Sequence, residues 1–523
     1  MHLELENGIV ALGLLAAVAA LLAIAPALRI PYPILLVLGG LAIGLVPGMP
    51  ELELPPELVF FGVLPPLSSA AFFTSLRDLR ANARPIGLLA IGLVVMTTVG
   101  VAVVAHELVD GLNWPSAFVL GAIVSPTDPI AATAIARRLG VPRKLVTIVE
   151  GESLVNDGTG LVLYRVAVAA VLTGSFSAMH TGGLFVVSVL GGIAVGLAVG
   201  WIVRQVRRRL DNPPAEITIS LLTGYFAFIP AELLGVSAVL AAVSAGIYLG
   251  WHTPELTSSR VRLQGVGVWE IVQYLLNALL FVVIGLQLPV VVDALGDYPV
   301  ATLLGYAAIV SLTVIVLRFV WVFAVLHAPK LIARRVSNWR GAVFLSWAGM
   351  RGAVSLAAAL ALPLETETGV PFPGRDLILF LTFSVILATL VGQGLTLPFV
   401  IRALGLEDDG IDAREESEAR IRAAEAAILR LDELEQEEWV REDTAGRMRG
   451  LYGFRTERFR ARFEDQDDGG IELRSQDYQR LRRELLEAER QALVELRRSG
   501  AISNDVWVRV ARDLDLEDER LDI

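Results

Sequence analysis

Cysteine and lysine are the residue types that this chain of 523 residues largely does without. It has no cysteine, which excludes disulfide bonds, thiolate metal sites and cysteine-based catalysis. Its only lysines, Lys144 and Lys330, lie in loops between apolar runs, which excludes a lysine Schiff base inside a membrane. It also lacks a Gly-x-x-x-x-Gly-Lys-Ser/Thr loop, so ATP hydrolysis by this chain is not expected.

Long apolar runs are what the chain has instead. Its residues are 54% hydrophobic and its mean hydropathy is +0.61, which is too apolar for a soluble globule of this length. Runs of roughly 17–25 apolar residues cross a bilayer as helices. The sequence predicts an all-α membrane protein with about thirteen transmembrane helices, at 8–28, 31–47, 57–74, 85–105, 115–137, 144–173, 183–204, 215–231, 235–250, 266–291, 299–327, 341–363 and 376–402.

Basic residues in the loops predict the orientation. Alternate loops carry 18 arginines and lysines, whereas the opposite set, with the N-terminus included, carries only Arg375. Because basic loops remain in the cytoplasm, we expect the N-terminus outside and the C-terminal tail inside. We also expect the chain to lie in the plasma membrane.

Residues 404–523 differ in composition from the rest, with a net charge of −12 against −11 for the whole chain. We therefore predict a transmembrane domain over 1–403 and a helical cytoplasmic tail over 404–523. In the tail we expect amphipathic helices over 414–441 and 475–498 and a short helix over 502–516. A regulatory or dimerising role is favoured over a catalytic one, and no basic face points to nucleic acid.

The fifth predicted helix is interrupted around a carboxylate. Asp128 lies between Pro126 and Pro129, and a proline disfavours helical geometry in the residue before it. An ionised group at membrane depth is costly unless it is paired, so it is interpreted as functional. Asp128 either ligates a cation directly or caps the broken helix ends through its side chain.

The twelfth predicted helix carries the second interruption. Gly349 and Gly352 flank Arg351 in mid-span. The two broken helices are seven spans apart, an odd number, so they run in opposite directions, which is typical of inverted-repeat transporters. If they cross, Asp128 offsets the positive helix ends and Arg351 the negative ends.

The sixth helix holds the best candidate for an ion site. Asp157 and Ser153 are four residues apart and share one helix face. A carboxylate, a hydroxyl and a backbone carbonyl near Thr127 are hard oxygen ligands, which suit dehydrated Na⁺. The same carboxylate can hold a proton instead, and this competition suffices for exchange. The rival interpretation is hydrogen bonding between helices.

Glu152 and Asn156 share the adjacent face of the sixth helix. A buried Glu152 needs a cation, and Arg318 and Arg351 are the deep ones available. We predict a structural Glu152–Arg318 ion pair, with Arg351 supporting the helix crossing.

These residues lie in motifs that resemble the monovalent cation:proton antiporter family, in its electroneutral Na⁺/H⁺ exchanger branch of bacterial type. The motifs follow one another in order through most of residues 8–402. They are Ser-Pro-Thr-Asp-Pro (125–129), Glu-Gly-Glu-Ser-Leu-Val-Asn-Asp-Gly-Thr-Gly (150–160), Leu-Gly-Val-Ser-Ala-Val-Leu-Ala (234–241), Leu-Leu-Asn-Ala-Leu-Leu-Phe-Val-Val-Ile-Gly-Leu (275–286) and Gly-Met-Arg-Gly-Ala-Val-Ser-Leu-Ala (349–357).

The resemblance implies a homodimer whose protomers each combine a dimerisation domain with a six-helix core. It implies that Asp157 binds the cation and the proton, with Ser153, Asp128 and the Thr127 backbone completing the site. Asn156 stands where the electrogenic branch has an aspartate, which suggests one H⁺ per cation. Relatives often have a carboxylate in the third helix where this chain has Ser68 and Ser69.

The expected function is secondary transport that exchanges Na⁺, or Li⁺ or K⁺, for H⁺ by alternating access. A K⁺/H⁺ antiporter of the same fold is the alternative, and a cation channel is the alternative of another class. No enzymatic activity is expected, because neither His-Glu-x-x-His nor a paired serine and base is present. No cofactor is expected beyond the transported ions, and the partners are a monovalent cation, H⁺ and membrane lipid.

Overall fold

The computed structural model describes residues 2–28, 31–46, 56–174, 178–210, 212–293, 295–296, 298–327, 339–366, 369–461 and 470–519. The regular secondary structure of these residues is helical, and their only β-pairing is an isolated bridge between Glu365 and Pro371. The chain forms two compact units, Met1–Asp408 and Asp409–Ile523.

Sixteen helices of the first unit are named here in chain order. They are α1 (His2–Leu28), α2 (Tyr32–Gly44), α3 (Pro56–Phe73), α4 (Leu76–Ala81), α5 (Ala83–Leu108), α6 (Trp114–Val124), α7 (Ile130–Arg138), α8 (Arg143–Thr173), α9 (Ala178–Arg207), α10 (Pro213–Leu233), α11 (Ala238–Leu256), α12 (Ser259–Asp293), α13 (Val300–His327), α14 (Trp339–Trp347), α15 (Ala353–Leu360) and α16 (Arg375–Leu404).

Seven helices in the described residues are long and apolar enough to cross a membrane. A run of 18 or more apolar residues matches the thickness of the hydrocarbon core, so the chain is a multi-pass membrane protein. The seven spans lie in α5, α8, α9, α10, α12, α13 and α16.

Local sequence explains several of the helix ends. The Asn113 side chain accepts the Ser116 N–H at 2.9 Å, and Pro115 occupies the first turn of α6, where its missing N–H costs nothing. At the C-terminus of α8, Gly174 has φ +65°, the left-handed geometry that commonly ends a helix.

The membrane helices pack in two groups. The first group contains α1–α3 and α9–α12, and the second contains α5–α8 and α13–α16. The second group comes from two separate stretches of sequence, 83–173 and 300–404. Helices of the two groups also touch each other, chiefly where α3, α11 and α12 meet α8, α15 and α16. The functional residues proposed from the sequence lie in the second group.

The described residues of the second unit form four helices: α17 (Ile411–Leu434), α18 (Glu442–Ala461), α19 (Gly470–Arg498) and α20 (Asn504–Glu519). The sequence predicted one helix over 414–441, but α17 ends earlier and α18 folds back on it. One long helix would leave its apolar stripe in water, whereas the hairpin buries Ala424, Ala445 and Phe459.

Arg449 ties this hairpin together. It donates to Asp432 at 2.6 Å and to Glu435 at 2.8 Å across the turn. The hydrogen bonds to Glu435 and Asp432 raise the pKa of the Arg449 guanidinium. Arg449 of α18 is thereby linked to the C-terminal end of α17.

Candidate functional site

The first interruption separates α6 from α7. Residues 125–129 are not helical, and Pro126 and Pro129 explain why. Asp128 Oδ1 accepts the N–H of Ile130 at 2.9 Å, so the carboxylate lies at the N-terminus of α7. The Asp128 N–H donates to the Met350 carbonyl at 2.8 Å, which joins this interruption to the second one.

The second interruption separates α14 from α15, and the two meet closely. A Cβ on Gly352 would collide with the Asp128 carboxylate, and a Cβ on Gly349 would collide with the Arg318 side chain. Glycine at these two positions is therefore what allows the interrupted segments to approach. The Asp128 carboxylate thus lies beside the start of α15 as well as at the start of α7.

Arg351 also lies where the two interruptions meet, and it is 1% exposed. Its Nε donates to the Val124 carbonyl at 3.0 Å, at the C-terminus of α6, and its Nη1 donates to the Gly349 carbonyl. Its backbone N–H donates to Thr389 Oγ1 at 3.1 Å. A cation placed on unpaired carbonyls at a helix C-terminus stabilises that end.

Glu152 and Arg318 form a fully buried, two-pronged ion pair. Arg318 Nη1 and Nη2 donate to the two Glu152 oxygens at 2.5 and 2.8 Å, and each residue is 1% exposed. Arg318 Nε donates to the Leu345 carbonyl at 2.9 Å. The bidentate geometry satisfies both charges, which a buried pair requires if it is not to destabilise the fold.

Thr127 connects this ion pair to Asn156. The Thr127 hydroxyl donates to Glu152 Oε1 at 3.0 Å and accepts from Asn156 Nδ2 at 2.8 Å. The hydroxyl is thereby occupied within the protein, so the Thr127 carbonyl is the group of this residue that is suited to a cation. Asn156 Oδ1 is buried and has no hydrogen-bond partner among the described residues.

Asp157 and Ser153 lie on the face of α8 that lines a cavity of about 660 Å³. Each is 4% exposed. Among the described residues Asp157 makes no ion pair, because Arg318 is held by Glu152 and Arg351 by carbonyls. A buried carboxylate without a fixed cation is able to take up either a metal ion or a proton.

The cavity lies between the two helix groups. The first group contributes Tyr32 and Asn277, and the second contributes Asp128, Thr127 and Ser355 in addition to Asp157 and Ser153. Arg137 and Glu150, paired at 2.6 Å, lie at its mouth, where the Arg137 side chain is 69% exposed. The mouth therefore faces the side of the basic loops around Arg137.

The structure brings the residues singled out from the sequence together around the interruptions. Asp157, Ser153, Asp128 and Thr127 line the cavity, whereas Asn156, Glu152, Arg318 and Arg351 lie behind its wall. The sequence analysis did not single out Tyr32, Ser355 or Thr389. Their only signal is a polar atom in an apolar run, which is too common to select them.

The described residues contain no cluster of three or more His, Cys, Asp or Glu side chains of the kind that holds a transition metal. The oxygen groups around Asp157 are instead a carboxylate, hydroxyls and a carbonyl. This donor set suits a hard, weakly held cation.

Comparison with known proteins gives a consistent result. The sequence profile of the family described as "Sodium/hydrogen exchanger, transmembrane" matches residues 13–403. An uncharacterized Na⁺/H⁺ exchanger of Mycobacterium tuberculosis (strain H37Rv) is 38% identical over 94% of this chain and 92% of its own length. The Na⁺/H⁺ antiporter ApNhaP of Aphanothece halophytica is 32% identical over 96% of this chain and 95% of its own.

The fold is similar to a solved structure. The sodium proton antiporter MjNhaP1 of Methanocaldococcus jannaschii superposes with a TM-score of 0.63 and 22% identity. The match covers 77% of this chain and 99% of that one.

Proposed function

The chain belongs to the sodium/hydrogen exchanger family, and on that premise we propose that it exchanges Na⁺ for H⁺ electroneutrally, with Asp157 as the acid that both ions share. The family is one of transporters rather than of enzymes. The observation that carries the proposal is the position of Asp157, buried at a cavity wall beside two interrupted helices.

The surroundings of Asp157 fit a cation that has shed water. Ser153, one turn earlier, supplies a hydroxyl. The Thr127 carbonyl lies in the interrupted segment, outside the regular hydrogen bonding of a helix. Asp128 contributes either a further oxygen or the field of a second carboxylate. In this site a bound Na⁺ and a bound proton exclude each other, because both neutralise the same oxygen atoms.

Alternating access is supported by the arrangement of the two helix groups. The cavity lies at their boundary, and the second group is made of two three-span stretches whose middle spans are interrupted. We propose that these stretches form an inverted repeat with crossed half-helices, and that this group moves against the other. Asp128 and Arg351 then offset the helix ends that meet at the crossing.

Electroneutral exchange is supported by the count of free carboxylates. Glu152 is paired with Arg318, and Asp128 accepts the Ile130 N–H at the start of α7, which leaves Asp157 as the carboxylate that exchanges its bound ion. Its neighbour on the helix is the neutral Asn156. One acid that binds one Na⁺ or one H⁺ moves no net charge in a full cycle.

We also propose the location, orientation and oligomeric state of the protein. The basic loops favour a plasma-membrane protein with its N-terminus outside, its large cavity open to the cytoplasm and residues 404–523 as a cytoplasmic regulatory tail. The family resemblance favours a homodimer, with the first helix group at the contact between protomers.

The decisive experiment is Asp157→Asn in proteoliposomes, with intravesicular pH recorded after a Na⁺ gradient is imposed. We expect the rate to fall to that of empty liposomes, since an amide neither ionises nor takes up a proton at working pH. Asp376→Asn is the matched control, because this carboxylate is 53% exposed and lies away from the cavity. Exchange by Asp157→Asn near the wild-type rate would remove this site from consideration.

K⁺/H⁺ exchange is the second candidate. In α3 the Ser68 hydroxyl donates to the Leu64 carbonyl at 2.7 Å and the Ser69 hydroxyl to Gln273 at 3.2 Å. That helix therefore offers the cavity no charge to favour the smaller ion. A relative of Bacillus subtilis is described as a sodium, potassium, lithium and rubidium/H⁺ antiporter. A series of Li⁺, Na⁺, K⁺ and Rb⁺ gradients on the same proteoliposomes distinguishes the two candidates.

A further inference from the structure

A second cavity, of about 300 Å³, lies along the far half of α8, beyond Asp157. Tyr164 and Arg165 of α8 line it, together with Phe228 and Glu232 of α10 and Val239 of α11. The large cavity is instead lined by Glu150, Ser153 and Leu154 of the first half of α8. The two cavities therefore follow one helix on either side of Asp157.

An apolar seal separates the cavities. Its buried members are Leu67, Ala71, Leu154, Val239 and Val243, with Leu161 and Phe228 packed against them. Leu67 and Leu154 also line the first cavity, whereas Leu161, Phe228 and Val239 line the second. The seal contains side chains from both helix groups, so it persists only while the groups stay together on that side.

An ion pair joins the groups at the second cavity. Arg165, in the second group, donates a hydrogen bond to Glu232, in the first group. The two side chains are 43% and 47% exposed, so the pair is in contact with the cavity and its surroundings rather than sealed in the core. Neither residue takes part in the site around Asp157.

We propose that the Arg165–Glu232 pair is a latch that holds the second side of the transporter closed and opens when the groups part there. The proposal rests on the alternating access proposed above. When the latch opens, the apolar seal separates and the second cavity extends to Asp157. An exposed pair contributes little, so its loss is expected to raise the share of molecules open on that side by about two- to fivefold.

Thiol labelling measures this share directly, since the natural chain has no cysteine to interfere. Val239→Cys places one thiol in the seal, where Val239 is 6% exposed, facing the second cavity. Adding Glu232→Gln is expected to speed its modification by a membrane-impermeant reagent about two- to fivefold. The exchanged pair, Arg165→Glu with Glu232→Arg, is expected to return the rate toward that of the parent. An unchanged labelling rate in Glu232→Gln would overturn the latch.

A reversible cross-link tests whether the contact must break during transport. In Arg165→Cys with Glu232→Cys, a short bis-methanethiosulfonate is expected to stop Na⁺/H⁺ exchange, and reduction to restore it. The control is Ser188→Cys with Val236→Cys, inside the first group, where the Ser237 N–H donates to the Ser188 carbonyl at 3.0 Å. Cross-linking the control pair is expected to leave exchange within about twofold.

The outcomes separate the two proposals. Exchange that continues in the verified Arg165–Glu232 cross-link would overturn the latch and leave Na⁺/H⁺ exchange standing. Absence of exchange in the wild-type protein, without any reagent, would overturn the proposed function itself.

Discussion

Glu152 and Asp157, five positions apart on one helix, meet different surroundings. Glu152 is 1% exposed and accepts hydrogen bonds from the Arg318 guanidinium and from the Thr127 hydroxyl. Asp157 instead faces a cavity. The first carboxylate is therefore held in an ion pair, whereas the second has no fixed partner among the described residues. This difference between two similar side chains is why we propose a structural role for Glu152 and a transport role for Asp157.

Removing one partner of the buried pair is expected to be far costlier than removing both. Arg318→Ala leaves the Glu152 charge buried and unpaired, which costs about 3–5 kcal/mol, whereas Arg318→Ala with Glu152→Gln restores part of that loss. Thermal unfolding of the purified protein in detergent measures the difference. The exposed pair provides the comparison, since Arg165→Ala is expected to cost at most about 1 kcal/mol. Additive losses at Arg318 and Glu152 would contradict the pairing.

At this scale, much of the arrangement around the candidate site could be predicted from the sequence. Few deep cations were available, so a partner for Glu152 could be predicted from Arg318 and Arg351 alone. The link from Thr127 to Asn156 could not, because it depends on how the non-helical segment folds back on α8. Tyr32 and Ser355 also escaped notice, since their place at the cavity depends on contacts between distant helices.

At the scale of the elements, the two interrupted segments depend on backbone proximity. Main-chain groups supply much of the contact: the Asp128 N–H donates to the Met350 carbonyl, and Arg351 donates to carbonyls of Val124 and Gly349. Such contacts need the chains to approach more closely than most side chains allow.

Gly352→Ala is expected to destabilise the protein by about 1–3 kcal/mol and to slow exchange, because its Cβ would collide with the Asp128 carboxylate. Gly392→Ala is the control, since nothing lies within 4 Å of a Cβ built there. That change is expected to be neutral or stabilising by up to about 1 kcal/mol. Thermal unfolding and exchange rates check both, and a Gly352→Ala protein as stable as Gly392→Ala would refute the close approach.

The ends of helices could be predicted where proline, glycine or the end of an apolar run marks them in the sequence. Prolines and glycines marked the interruptions at residues 125–129 and 348–352, and apolar runs marked the long spans. The turn between α17 and α18 was missed because it has neither signal. Residues 435–441 are charged and helix-compatible, and only burial of Ala445 and Phe459 against α17 explains the fold-back.

At the scale of the whole molecule, the all-helical membrane class followed from composition and run length. The division into two helix groups did not, because it depends on which faces pack together after the chain has crossed the membrane many times. The resemblance to a known family supplied that expectation instead. The cavity between the groups is the feature that connects the packing with transport.

A membrane potential is expected to leave the equilibrium distribution of Na⁺ across the membrane unchanged. Proteoliposomes clamped with K⁺ and valinomycin at 0 and −100 mV should reach the same Na⁺ distribution at equal pH gradient. A cycle that moved one net charge would gain about 2.3 kcal/mol from 100 mV, which shifts the equilibrium distribution about 50-fold. A shift of that size would establish electrogenic exchange and a second titrating group.

The apolar seal confines the insulating part of the protein to a thin layer between two open cavities. The electric field across the membrane is concentrated in that layer of low dielectric constant. Moving a carboxylate without a bound ion through this layer would cost electrostatic work against the field and desolvation energy. A carboxylate neutralised by Na⁺ or H⁺ would avoid both costs. In the alternating-access cycle proposed above, this barrier would penalise return of the empty carrier, and the penalty would keep the two ion fluxes coupled.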